Sequence, residues 1–151
     1  MRARDLVESY PSVSADDDAV EAARMVVERR LPALLVLDSD QRPYAIVPGS
    51  QLLTAMVPDF VVHEPSLASV LRAEDIETFT EQLAGLTVGQ WLPAHRTLPT
   101  VVGPAATPLE IAALMVRTHT PLVAVVESDG RDSLTLGAIS AARLMEYFLS
   151  L

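Results

Sequence analysis

Apolar residues recur at helical spacing behind Asp18: Val20, Ala23, Met25, Val26 and Val27 follow it in turn. Asp18 with Glu21 three residues on has the form of a capping box, with Asp in place of the usual Ser or Thr, and predicts a helix start. Leu34-Leu35-Val36-Leu37 is too short for a helix and reads as a buried strand. The polar cluster Asp38-Ser39-Asp40-Gln41-Arg42-Pro43 predicts a turn, and Tyr44-Ala45-Ile46-Val47 a returning strand. Pro48-Gly49-Ser50 ends that strand, and a second helix is expected from about Gln51.

The same order recurs 89 positions later. Val13 to Glu21 falls on Val102 to Glu110, and the register holds without a gap through Arg30-Leu31-Pro32-Ala33-Leu34 over His119-Thr120-Pro121-Leu122-Val123. Thr107-Pro108-Leu109-Glu110 is a full helix start, with a Thr cap, Pro in the first turn and Glu at its third position. A helix to Arg117 is expected, then a strand over Leu122–Val126, a turn over Glu127–Asp132, a returning strand over Leu134–Ile139, and a terminal helix opened by Ser140. A short helical turn precedes each copy, Ala3-Arg4-Asp5-Leu6-Val7 and Val88-Gly89-Gln90-Trp91-Leu92. An internal repeat of this length sets the architecture: an α+β fold of two β-α-β-β-α units, over residues 1–56 and 87–151, joined by a helical connector over 57–86. Within the connector, one helix over Ser66–Leu83 is expected, with Leu67, Val70, Leu71, Ile76, Phe79 and Leu83 on or near one face and packed against the repeats.

Composition narrows the function. Half of the 151 residues are hydrophobic, which fits a folded core rather than disorder. A net charge of −9 argues against nucleic acid or an anionic membrane as general partners, so an anionic ligand would need a local set of donors. With no cysteine there are no disulfides, thiol catalysis or thiolate metal sites. No apolar run approaches the ~20 residues of a membrane span. A cytoplasmic protein is the expectation.

Several segments resemble the tandem domain pairs named after cystathionine β-synthase, the CBS domains. Thr87-Val88-Gly89-Gln90-Trp91-Leu92 resembles that family's opening motif. Leu34-Leu35-Val36-Leu37-Asp38 and Val123-Ala124-Val125-Val126-Glu127 resemble its central strand and acidic turn. Gly137-Ala138-Ile139-Ser140-Ala141-Ala142-Arg143-Leu144 resembles its closing motif, commonly Gly-x-x-Thr/Ser-x-x-Asp-Leu. The resemblance implies one compact module with pseudo-two-fold symmetry, its repeats packed through their sheets, and pairing of two modules into a disc. It implies clefts for AMP, ADP, ATP or S-adenosylmethionine as regulatory ligands, and a regulatory rather than an enzymatic role. With no catalytic domain in the chain, a stand-alone module acting on a protein partner is expected.

The closing motif implies the site. Its hydroxyl residue ends a strand and opens a helix, whose free N–H groups and positive dipole end suit a phosphate. The second repeat keeps Ser140 and puts Arg143 where the family's ribose-binding Asp belongs. A guanidinium only donates, so it cannot replace that carboxylate, but it is a good bidentate partner for phosphate. A cation in the first helical turn opposes the dipole by about 0.3–1 kcal/mol, an effect that a nearby acid or a bound phosphate would offset. Two readings stay open: an anion site, or a plain cap with a solvated Arg. In the first repeat Pro48 replaces the hydroxyl residue and Gln51 the Asp, so the second cleft is the better candidate. Adenine would lie, by resemblance, near Thr120, Pro121 and Gly103 in the second repeat and near Leu31, Pro32 and Ser14 in the first.

Nothing else in the chain has the pattern of a site. His63, His95 and His119 lack metal-ligand spacing, and there is no nucleophile elbow or glycine-rich phosphate loop, so neither a metal nor a catalytic residue is expected. Asp16-Asp17-Asp18 reads as capping and dipole compensation, and Trp91 as a core anchor. The terminal helix carries Leu144, Met145, Tyr147, Phe148 and Leu149 over a wide arc, which predicts a homodimer surface beside the internal core. The alternative to ligand sensing is a ligand-free interaction or dimerisation scaffold with degenerate nucleotide sites.

Overall fold

The computed structural model describes residues 1–54, 56–92, 98–129 and 132–151; of Phe79 and Asp129 it describes the backbone. The first repeat runs β1 (Ser12–Ser14), α2 (Ala19–Glu28), β2 (Ala33–Leu37), β3 (Pro43–Pro48) and α3 (Gly49–Thr54), after a leading turn α1 (Ala3–Leu6). The second runs β4 (Val101–Val102), α8 (Pro108–Thr118), β5 (Leu122–Asp129), β6 (Asp132–Ser140) and α9 (Ala141–Leu149), after the leading turn α7 (Val88–Trp91). Each repeat forms a three-stranded sheet in which the outer first strand pairs parallel and the hairpin antiparallel. The ladders fix the correspondence of the copies, since Ala33 faces Pro48 as Leu122 faces Ser140.

The expected caps form. The Asp18 carboxylate accepts from the Glu21 N–H at 3.0 Å. Thr107 and Glu110 satisfy each other's backbone N–H groups, at 3.2 and 2.7 Å. The Thr107 backbone N–H first, and the Thr107 hydroxyl second, hold the Glu110 carboxyl below its usual pKa, because they favour the ionised form. The second hairpin departs from expectation. Glu127–Asp129 and Asp132, read as turn, continue the ladder until Asp129 faces Asp132, because the strand backbones keep pairing past the acidic residues. Gly130 and Arg131 of that expected turn lie outside the described residues.

The connector differs as well. A short α4 (Asp59–His63) comes first, and in place of one helix over 66–83 there are α5 (Pro65–Ala68) and α6 (Ala73–Glu81). The break at 69–72 has a local cause. The Ser69 hydroxyl donates to the Ser66 carbonyl at 2.7 Å, and the Asp75 carboxylate accepts from the Arg72 N–H at 2.8 Å, starting a new helix. No residue described in α4, α5 or α6 is buried; contact with the repeats comes through Leu83, which is buried, and Leu86.

Among the described residues, three apolar clusters hold the molecule together. The first sits under α2 with Leu34, Val36, Val47 and Leu52, and it takes in Val88 and Trp91 of α7. The second sits under α8 and α9 with Ile111, Val123, Val125, Ile139 and Leu144, and it takes in Ala3 and Leu6 of α1. Each leading turn therefore packs into the other repeat. Backbone hydrogen bonds follow suit, from Ala3 and Arg4 to the Ala106 and Pro104 carbonyls, and from Val88 and Gly89 to the Asp17 and Ala15 carbonyls. The third cluster joins the two sheets through Leu35, Ile46, Leu122, Ala124 and Ala138, with Tyr10 at its edge.

Tyr10 donates its hydroxyl to the Ala33 carbonyl at 2.6 Å. Burial raises its pKa above the usual value near 10, a rise the hydrogen bond partly offsets. A raised folded pKa means that the contribution to stability is complete below about pH 10 and is lost as pH climbs beyond it. Tyr10→Phe is expected to cost about 0.5–1.5 kcal/mol at neutral pH and to flatten that alkaline decline, as read by urea unfolding at several pH values.

Candidate functional site

In the second repeat, α8 ends at His119, whose left-handed conformation (φ 52°) turns the chain back toward the sheet. Arg30 (φ 51°) does the same at the end of α2. Thr120 follows, its N–H bonded to the Met115 carbonyl at 3.2 Å and its hydroxyl 3.4 Å from the Leu122 carbonyl. The Leu122 carbonyl also accepts the Thr100 hydroxyl at 2.8 Å, which pins the approach to β4 against β5. The Pro121 carbonyl accepts the Ala141 N–H at 2.9 Å, so the approach to β5 and the start of α9 are in direct contact. The first repeat repeats this link, with the Gly49 N–H donating to the Pro32 carbonyl at 3.2 Å.

Ser140 is the N-cap of α9, its hydroxyl oxygen accepting from the Arg143 N–H at 3.1 Å. The Arg143 side chain is engaged rather than solvated. Its Nη1 lies 2.9 Å from a Glu146 carboxylate oxygen, and its Nε lies 3.5 Å from Glu8 and 3.4 Å from the Leu6 carbonyl. Neighbouring acids thus offset the unfavourable helix dipole. Glu146 was within reach of sequence reasoning, since residues three apart on a helix are neighbours. Glu8 and Leu6 were not, because nothing local ties a residue in the leading turn to one 135 positions later. Glu8 is fixed by its backbone, which exchanges hydrogen bonds of 3.0 and 3.1 Å with Ala138 on the edge of β6.

The structure therefore brings Thr120, Pro121, Ser140 and Arg143 to one end of the second sheet. It leaves Gly103 apart. Gly103 lines a cavity against α8 with Ala106, Glu110 and Arg117, and that cavity includes none of those four residues. In the first repeat Leu31 donates its N–H to the Val26 carbonyl, Pro48 ends β3 without a hydroxyl, and Gln51 is exposed on the six-residue α3. Ser14 lies at the other end of that sheet, its hydroxyl oxygen accepting from the Asp16 N–H beside Asp17 and Asp38. Among the described residues no group of three or more His, Asp or Glu could hold a metal ion, and His95 lies outside them. No helix of the described residues is long and apolar enough to cross a membrane.

The sequence profile of the CBS domain matches residues 3–58. A CBS domain-containing protein of unknown function from Kribbella flavida is 38% identical, with 99% of each chain covered and a TM-score of 0.82. The chain belongs to the CBS-domain family. Its two copies form a tandem CBS pair, with the α+β architecture and the sheet-to-sheet packing that the closing and opening motifs implied. The CBS-pair protein CBSX2 from Arabidopsis thaliana shares the fold at 17% identity, over 99% of this chain and 94% of that one, with a TM-score of 0.72. A structure of CBSX2 in complex with AMP superposes with a TM-score of 0.68 at 19% identity, covering 99% and 96%. No curated protein matches the sequence.

Proposed function

We propose that this CBS pair is a regulatory module that senses an adenine nucleotide, AMP, ADP or ATP, at the end of its second sheet. S-adenosylmethionine is the other ligand of that chemistry. The observation that carries the reading is the 2.9 Å bond from the Ala141 N–H to the Pro121 carbonyl. It sets the start of α9, with Ser140 and Arg143, beside the Thr120-Pro121 segment that would meet a base. The AMP complex of CBSX2 is support from the same fold. Arg143 already faces two carboxylates, so a phosphate would compete for its guanidinium with Glu8 and Glu146. Freed from Arg143, Glu8 would hold the leading turn less firmly on β6. A protein partner reading that turn, or a second copy, would receive the signal. Homodimerisation would use the outward apolar residues of α8 and α9, where Leu109 and Val116 are each 74% and Leu149 87% exposed.

A second reading is a ligand-free interaction scaffold. It is favoured by the ion-paired state of Arg143 and by the loss of the hydroxyl at Pro48. Thermal unfolding separates the two. AMP at 100 times its Kd should add about 2.7 kcal/mol of stability, raising Tm by about 5–11 °C, and Arg143→Ala should abolish the rise. No rise with AMP, ADP, ATP or S-adenosylmethionine, together with a dimer in sedimentation, would select the scaffold. A rise that Arg143→Ala leaves intact would remove Arg143 from the site.

A further inference from the structure

We infer that Glu8 and Glu146 set the charge selectivity of the nucleotide site, so that it takes a nucleoside monophosphate and disfavours every further phosphate. Such selectivity rests on the nucleotide site proposed at Ser140 and Arg143. Topology gives that site a direction. β6 is an edge strand with β5 on one side. Thr120 and Pro121 lead into β5, and Ser140 ends β6 opposite Leu122. Glu8 lies on the other side of β6, where its backbone pairs with Ala138. Arg143, in the first turn of α9, links the two sides, its N–H bonded to Ser140 and its guanidinium beside Glu8. A nucleotide with its base at Thr120-Pro121 and its phosphate on Arg143 therefore has its free end turned toward Glu8.

Charge decides what that free end can be. One guanidinium serves two carboxylates, Glu146 at 2.9 Å from Nη1 and Glu8 at 3.5 Å from Nε. The Leu6 carbonyl, 3.4 Å from Nε, adds a third oxygen. The N-terminus of α9 contributes only roughly half a positive charge, so the cluster stays net negative. A single phosphate can exchange with a carboxylate for the guanidinium, one anion for another. A second or third phosphate meets no further cation among the groups that Arg143 touches. It stands instead against the carboxylates that the first phosphate displaced, and like charges a few ångströms apart repel. Glu8 cannot withdraw its backbone, because that backbone is paired to β6. The Arg143 side chain is 31% exposed, so solvent screens this repulsion only in part.

Calorimetry of the full chain with AMP, ADP and ATP, at low salt and without divalent cations, tests this selectivity. AMP should bind tightest, and each added phosphate should weaken binding by about 1.4- to 5-fold, the effect of one exposed charge pair. The net charge of −9 also repels polyphosphates in general, so variants must separate the local effect from the overall field. The double variant Glu8→Gln, Glu146→Gln keeps side-chain length and the Glu8 backbone bonds, and should erase or reverse the order. The pair Glu77→Gln, Glu81→Gln makes the same change in net charge at exposed positions of α6 and should leave the order as it is. Glu146→Gln alone alters a side chain that is 70% exposed and should already narrow the gap between AMP and ATP, so the result does not depend on a Glu8 variant folding. Three results overturn the selectivity while leaving the nucleotide site in place: ADP or ATP bound as tightly as AMP, an order that the site variants leave unchanged, or one that the α6 variants change equally. No binding of any of the three nucleotides overturns the site itself, and the selectivity with it.

Discussion

Gly137→Ala should be among the most damaging single substitutions in the chain. Gly137 has φ +149°, in a region that residues with a side chain rarely adopt. A Cβ built there would sit 2.1 Å from the Glu8 backbone oxygen and 3.0 Å from Val7. Backbone cannot rotate away as a side chain can, so the leading turn would have to leave β6. That separation would break both backbone bonds between Glu8 and Ala138 and loosen Ala3 and Leu6 from the second core. A loss of about 3 kcal/mol or more is expected, seen as a fall in Tm of roughly 6–12 °C. An unchanged Tm would mean that the turn does not pack where Glu8 meets Gly137.

Leu6→Ala should cost about 2–5 kcal/mol, since Leu6 is 1% exposed and its removal leaves a cavity. The location of the effect is the sharper expectation. Leu6 precedes the first repeat in the chain but packs with Ile111, Met115 and Ile139 of the second. Hydrogen exchange should therefore speed up in β5, β6 and α8 more than in β2 and β3. Faster exchange confined to β2 and β3 would contradict the exchange of leading turns. Trp91 and Val88 make the mirror-image contact with Ala22, Leu34 and Leu52.

That exchange marks the boundary of what the sequence discloses. The 89-residue repeat, the caps at Asp18, Thr107 and Ser140, and both hairpins could be read because each rests on residues a few positions apart. Ala3 and Leu6, one helical turn apart, announce a buried face but not the surface that buries it. The connector misled for a different reason. Its apolar spacing suits one long helix, yet the Ser69 hydroxyl and the Asp75 carboxylate capture backbone groups locally and divide it. At the site, Ser140 was legible as a hydroxyl opening a helix, and Arg143 as a cation needing an acid or a phosphate. Which of these it meets depended on Glu8, which only the folded chain brings within 3.5 Å.

Amide hydrogen exchange with and without saturating AMP tests the sensing mechanism most directly. Arg143 and Ala141 at the start of α9 should gain protection, while Glu8 on the edge of β6 should lose it as the Glu8–Arg143 pair opens. No change at these amides, or changes confined to β1, β2 and α3, would contradict a nucleotide site in the second repeat.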